Sequence, residues 1–138
     1  YKETGKEALK GAYILRDSDN GKPDVILMAS GSEVELIYSA YDELKKKGIN
    51  ARVVSMPSFE LFDKQSKEYK EKILPTSVRK RIAVEAASSF GWHKYVGLDG
   101  DMICMEDFGE SGKADMLFKK YGFTVENVLN KVMKILNK

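Results

Sequence analysis

Residues 24–35 read DVILMASGSEVE, and this stretch decides the fold. Its first half, 24–29, is apolar from Val25 to Met28, without the alternation expected of a strand that has one face in water. A continuous apolar run of this length is typical of a strand covered on both faces, as in a parallel sheet. A helix then begins, because Ser32 and Glu35 have the S-x-x-E spacing of a capping box. A buried strand leading directly into a helix predicts an α/β domain.

The rest of the chain repeats this alternation. Besides 24–29, the pattern predicts strands at 11–15, 51–55, 81–85 and 101–105. Helices are predicted from Ser32 to the stop at Gly48, within 59–74 as one or two short segments, at 90–96 as a turn, at 113–121, and after Thr124. The last helix places an apolar face at Val125, Val128, Leu129, Val132, Met133 and Leu136. Five strands joined by helical crossovers indicate a mostly parallel sheet with helices on both sides.

Composition excludes several classes of protein. A chain of 138 residues with 43% hydrophobic residues suits one globular domain. A net charge of +2 gives no basic surface for nucleic acid, and no apolar run approaches the roughly 20 residues that span a membrane. The only cysteine, Cys104, cannot form a disulfide within the chain and is expected to be a buried, inert thiol. We therefore expect a cytoplasmic protein.

Two further expectations concern the ends of the chain and its charge runs. Because the sequence starts at Tyr1 rather than Met, we expect a piece of a longer protein, with 1–10 as a linker and 11–138 as the domain. The basic run 45–47 is expected to complement the dipole at a helix end. The run 79–81 is expected to be a solvated approach to a strand.

Chemistry-bearing motifs are few. His93, the single histidine, has no partners in the sequence that would make it a catalytic base, and the scattered carboxylates suggest no metal site. Ser30, Gly31 and Ser32 form a strand-to-helix junction whose backbone amides could bind a small anion. The alternative for this junction is a capped helix without a ligand. The glycine-rich segment 108–112 is a second junction of the same ambiguous kind.

Several segments together resemble the C-terminal domain of transketolases. They read GSEVEL at 31–36, ARVVSMPS at 51–58, FDKQ at 62–65, VEA at 84–86, KYVG at 94–97, FGES at 108–111 and YGFTVENV at 121–128. The resemblance covers about residues 11–136, and ARVVSMPS followed by FDKQ is its most specific part.

The resemblance implies a three-layer α/β/α fold with a five-stranded mixed sheet, whose first strand is antiparallel to the other four. It also implies a parent enzyme of the pentose phosphate pathway that moves a two-carbon ketol unit from a ketose phosphate to an aldose phosphate. Thiamine diphosphate and Mg²⁺ or Ca²⁺ would be bound by other domains, since the family's Gly-Asp-Gly metal stretch is not found here; 97–101 does not match it. The piece alone is expected to be inactive, with no catalytic, cofactor or metal residues.

The expected partners are therefore the remaining transketolase domains and a second subunit of a homodimer. Candidate contacts with them are Phe90, Trp92, His93 and Phe108, of which the aromatic residues Phe90, Trp92 and Phe108 are candidates for an exposed patch. Two alternatives remain open. One is a regulatory module that binds a small anion or nucleotide at the Ser30 junction. The other is the same domain in a deoxyxylulose-phosphate synthase or a two-oxoacid dehydrogenase.

Overall fold

The structure is a computed structural model that describes residues 10–30, 33–85, 92–104 and 124–137. The predicted helix at 113–121 and the junction at 108–112 lie outside these residues. So do Gly31 and Ser32 of the predicted capping box.

A five-stranded mixed sheet forms the centre of the molecule. Its strands are β1 (Tyr13–Arg16), β2 (Val25–Ala29), β3 (Ala51–Ser55), β4 (Arg81–Glu85) and β5 (Asp101–Cys104). They lie in the order β1-β3-β2-β4-β5. β1 is antiparallel to β3, and the other neighbouring pairs are parallel. The predicted strand count and the direction of β1 are confirmed, and the predicted strand bounds differ from the observed ones by at most two residues.

Five helices are described. They are α1 (Glu33–Lys46), α2 (Phe59–Asp63), α3 (Lys67–Ile73), α4 (His93–Val96) and α5 (Val125–Ile135). The predicted stop after α1 is confirmed, because Gly48 has a φ of 78°, which a residue with a side chain rarely adopts. Thr124 caps α5 as predicted, since its side chain accepts a hydrogen bond from the amide of Asn127 at 3.1 Å.

Each face of the sheet carries its own apolar layer. On one face α1 and α5 pack against the sheet, and Val128 and Val132 of α5 are fully buried there. On the other face Phe62, Ile73, Trp92 and the rest of the α2–α4 layer cover the second set of strand side chains. The arrangement is the three-layer α/β/α fold expected from the resemblance.

Two arginines join the α2–α4 layer to the sheet. Arg52 of β3 is 5% exposed, and its guanidinium binds both carboxylate oxygens of Asp17, at 2.8 and 3.2 Å. It also donates to the carbonyls of Lys72 and Ile73, at 3.0 and 3.3 Å. Because the last carbonyls of a helix lack partners within the helix, these contacts satisfy part of the carboxyl end of α3.

Arg81 of β4 binds further carbonyl groups at the carboxyl end of α3 and near it. Its guanidinium donates to the carbonyls of Leu74 and Pro75, at 3.3 and 2.9 Å, and to those of Val78 and Tyr95, at 3.0 and 2.8 Å. Burial lowers the pKa of Arg81 from its ordinary value. The prediction that 79–81 is a solvated run is therefore wrong for Arg81, which is held by backbone carbonyls, whereas Arg79 is largely exposed and pairs with Asp99.

Replacing Arg52 should destabilise the domain more than replacing a cation on the surface does. Arg52→Leu removes the buried donor shared by Asp17 and two helix-end carbonyls, and we expect the free energy of unfolding to fall by about 2–4 kcal/mol. The matched control is Arg79→Leu, whose exposed ion pair should contribute about 0–1 kcal/mol. Urea denaturation of the three proteins measures the difference, and equal losses for the two variants would contradict this role of Arg52.

Candidate functional site

The predicted anion junction lies at the carboxyl ends of two neighbouring parallel strands. Ser30 follows β2, and Glu85 ends β4, which is paired with β2. The helix after β2 packs on one face of the sheet and the helix after β4 on the other. Adjacent strands whose connections leave to opposite faces form the crevice in which α/β domains usually bind ligands.

A carboxylate already occupies this crevice. The hydroxyl of Ser30 donates to Glu85 Oε2 at 2.5 Å. The first turn of α1 adds Glu33, which is 8% exposed, and Glu35. Negative side chains near a helix amino end complement the helix dipole and repel a further anion. The anion site stays a prediction, and the charges of the described residues oppose it.

A second polar cluster joins α2 to α4. Asp63 accepts a hydrogen bond from the hydroxyl of Tyr95 at 2.5 Å and from Lys94 Nζ at 2.9 Å. Burial opposes the charged form of Asp63, but the bonds from Tyr95 and Lys94 outweigh it and hold its pKa below the ordinary value of 3.8. Burial and the same carboxylate raise the pKa of Tyr95, so that its phenol stays protonated.

This cluster borders a shallow depression of about 230 Å³. The depression is lined by Phe62, Asp63, Lys70, Glu71, Leu74, Thr76, Arg81, Lys94 and Tyr95. Because Asp63 is held as the anion and Tyr95 as the neutral phenol, neither is set up to exchange a proton near neutral pH. The arrangement acts as a cross-link between two short helices.

The predicted aromatic contact patch is corrected by the structure at Trp92. Its side chain is 1% exposed and meets the ring of Phe59 edge-on, with the ring centroids 4.8 Å apart. A side chain buried within the α2–α4 layer cannot form an exposed patch. Phe90 and Phe108 lie outside the described residues. His93 begins α4, and as a contact residue it stays a prediction.

Among the described residues, no three His, Cys, Asp or Glu side chains are grouped so that they could hold a metal ion. No helix in that part of the chain is long and apolar enough to cross a membrane. No catalytic step is assigned to the described residues.

The sequence did not predict the Asp63–Tyr95 contact or the role of Glu85. Asp63 and Tyr95 lie within the FDKQ and KYVG segments that support the family resemblance, and Glu85 lies within VEA. These segments mark the three residues as part of the family pattern. A pattern along the chain does not show which side chains contact each other in the fold.

Comparison with known proteins decides the family. Residues 11–124 match the protein family described as the transketolase-like TK C-terminal domain. The chain belongs to the transketolase C-terminal domain family. It is 49% identical over 140 residues to the transketolase of Bacillus subtilis, an alignment that covers 99% of this chain and 21% of that protein.

Solved structures agree with this assignment. The transketolase from Leishmania mexicana superposes with a TM-score of 0.86 at 38% identity, over 96% of this chain and 19% of that one. The Pichia stipitis transketolase in complex with sedoheptulose-7-phosphate gives 0.85 at 42% identity, with the same coverage. The chain thus spans about a fifth of the length of the transketolases that it matches.

The Asp63 cluster predicts a specific acid dependence. Because the pKa of Asp63 is lower in the folded state, the unfolded state binds more protons around and below pH 4. The stabilisation is therefore present above about pH 4 and lost as the pH falls through the folded pKa. Asp63→Asn should flatten the fall of the unfolding free energy between about pH 5 and pH 2 without abolishing it, because other carboxylates also titrate there.

Asp101 is one of these other carboxylates. Burial alone would raise its pKa, but the hydrogen bonds from Lys131 and from the Met102 amide outweigh that effect, so the pKa of Asp101 also lies below its ordinary value. Lys64→Gln, an exposed change next to Asp63, is the control and should keep the wild-type slope. Urea titrations at each pH measure the three slopes. An unchanged slope in Asp63→Asn would contradict the inferred pKa.

The crevice between Ser30 and Glu85 leads to a prediction about phosphate binding. A phosphate site with a dissociation constant of 1 mM would stabilise the fold by about 1.4 kcal/mol at 10 mM phosphate, or about 4 °C in Tm. Because three glutamates lie at this end of α1, we expect a shift below about 1 °C relative to NaCl of equal ionic strength. A larger shift that Ser30→Ala abolishes would establish the anion site instead.

Proposed function

We propose that this chain acts as the C-terminal domain of a full-length transketolase. That enzyme transfers a two-carbon ketol unit from a ketose phosphate to an aldose phosphate. The observation that carries the proposal is the family match over residues 11–124, together with 49% identity to a transketolase across nearly the whole chain. In the full protein, thiamine diphosphate and a divalent metal would be bound by the other domains and would supply the covalent chemistry.

We infer an architectural role for the domain itself. Its described polar clusters connect elements of its own fold: Arg52 and Arg81 hold the end of α3, and Asp63 joins α2 to α4. Such contacts give a rigid body, which suits a domain that supports others. Its partners would be the preceding domains, through a linker before residue 11, and a second subunit of a homodimer in the cytoplasm.

Neither alternative gains support from a particular contact. A regulatory anion or nucleotide module would need the Ser30 crevice, where Glu85 now accepts the hydroxyl. A parent enzyme of the deoxyxylulose-phosphate synthase or two-oxoacid dehydrogenase kind is disfavoured, because the relatives described above are transketolases.

The proposal is tested by joining this chain to the upstream part of a relative. One protein is residues 1–138 alone, and the other has them in place of the corresponding C-terminal part of the Bacillus subtilis transketolase. Both are assayed with thiamine diphosphate, Mg²⁺, a ketose phosphate and an aldose phosphate. We expect ketol transfer from the joined polypeptide and none above the buffer blank from the chain alone.

The control is the same upstream part without a C-terminal domain. Transfer by residues 1–138 alone would contradict the assignment of the chemistry to other domains. A joined polypeptide that folds but is no more active than the truncated control would contradict the proposed role in the full-length enzyme.

A further inference from the structure

The loop between β1 and β2 carries an exposed turn whose two ends are held by the domain. At its start, the carbonyl of Asp17 accepts the hydroxyl of Tyr41 at 2.7 Å. At its end, the carboxylate of Asp24 accepts the amide of Asn50 at 2.9 Å. The residues 19–22 between these two points are exposed. The turn can therefore open locally while the sheet stays folded.

This turn contains Asn20, the one asparagine in the sequence that precedes a glycine. An asparagine side chain loses ammonia when the backbone nitrogen of the next residue attacks its amide carbon. A side chain on that next residue hinders the attack. Gly21 has none, and the space that a Cβ atom would fill there is open. The attack is therefore less hindered at Asn20 than at any other asparagine of the chain.

The side chain of Asn20 is already folded in the direction that the attack requires. Its Oδ1 accepts a hydrogen bond from the amide of Lys22 at 2.9 Å. Because this bond spans Gly21, it turns the side-chain amide back along the backbone, toward the Gly21 nitrogen. The same donor would stabilise the negative charge that develops on Oδ1 when the nitrogen attacks.

One contact opposes the reaction. The Gly21 amide donates a hydrogen bond to the carbonyl of Ser18 at 3.1 Å, so the nitrogen must leave this partner before it attacks. A single hydrogen bond in an exposed turn should slow the reaction by at most about tenfold relative to an unstructured peptide. The contact therefore delays the attack without preventing it.

We propose that Asn20 is a site of spontaneous deamidation, with water as the co-reactant. The Gly21 nitrogen gives up its proton to the solvent and bonds to Cγ of Asn20. The bond from Cγ to the side-chain nitrogen breaks, ammonia leaves, and a five-membered cyclic imide remains. Water then opens the imide at either carbonyl and leaves aspartate or isoaspartate at position 20. Each conversion adds one negative charge and so lowers the formal net charge of the chain, which is +2, by one.

The pair Asp99–Gly100 can form the same imide but is protected. Its ring closure must start from a carboxylate, which is a poorer electrophile than an amide, and this carboxylate pairs with Arg79 Nε at 2.8 Å. Gly100 is also enclosed, since a Cβ atom there would overlap the carbonyl of Arg81 and the side chain of Val96. Residue 99 is therefore an internal control within the same protein.

The test follows the purified chain, residues 1–138, in mildly alkaline buffer beside a synthetic peptide of residues 17–24. Peptide mapping by mass spectrometry measures the conversion of each asparagine, and an isoaspartyl methyltransferase used as a reagent detects isoaspartate. We expect Asn20 in the chain to convert within about tenfold of the rate in the peptide. It should convert at least about tenfold faster than the other asparagines, none of which precedes a glycine. These are Asn50, Asn127, Asn130 and Asn137.

The matched variant is Asn20→Gln, whose ring closure is slower because it needs a larger ring. It should suppress the acidic species that ion-exchange chromatography resolves from the aged wild-type chain. The proposal is overturned if Asn20 persists in the chain while the peptide converts, or if the acidic species accumulates equally in Asn20→Gln. Isoaspartate at residue 99 with none at residue 20 would also contradict it. The test does not involve ketol transfer, so its outcome is independent of the proposed function.

Discussion

The structure depends on one constraint, which is the complete burial of β2. All five of its residues, Val25–Ala29, are inaccessible to solvent. Their backbone groups are paired on both sides, by β3 and by β4, and their side chains point alternately to the two faces. Neither face can remain in water, since exposing either would leave several fully buried aliphatic side chains uncovered at about 1.5–3 kcal/mol each. The two helical layers follow from this requirement, and so does the need for crossover connections long enough to place α1 on one face and α2–α4 on the other.

The sequence predicted the features that local physics controls. The apolar run of β2, the glycine after α1 and the threonine before α5 each have a meaning that does not depend on distant residues. The direction of β1 came from the family resemblance alone, because an antiparallel strand at the edge has the same local pattern as a parallel one. Arg52 and Arg81 could not be predicted from charge patterns, which place cations in solvent. Both are held by carbonyls of residues 72–75, and only the folded backbone brings these carbonyls to the strands. Trp92 was misplaced for the related reason that exposure depends on what covers a side chain, here Phe59 and its neighbours.

The sheet has two edges, one at the amino ends and one at the carboxyl ends of its parallel strands, and different charged groups lie at each. At the amino edge, guanidinium groups from β3 and β4 close the carboxyl end of α3, where unpaired carbonyls and the helix dipole both favour positive charge. At the carboxyl edge, Glu85 accepts the hydroxyl of Ser30 near the amino end of α1, where the dipole favours negative charge. Each edge thus carries the sign of charge that its nearest helix end requires. These contacts are internal to the domain and contribute to its stability.

This distinction explains why an α/β fold with a crevice in the usual place does not by itself indicate a ligand. The fold supplies the position, but binding needs groups at that position that complement the ligand. In this domain the crevice holds a serine whose hydroxyl is directed to a carboxylate, beside a helix turn that carries two more carboxylates. An anion would have to displace or neutralise those groups, at a cost that the helix dipole alone, worth about 0.3–1 kcal/mol, does not offset.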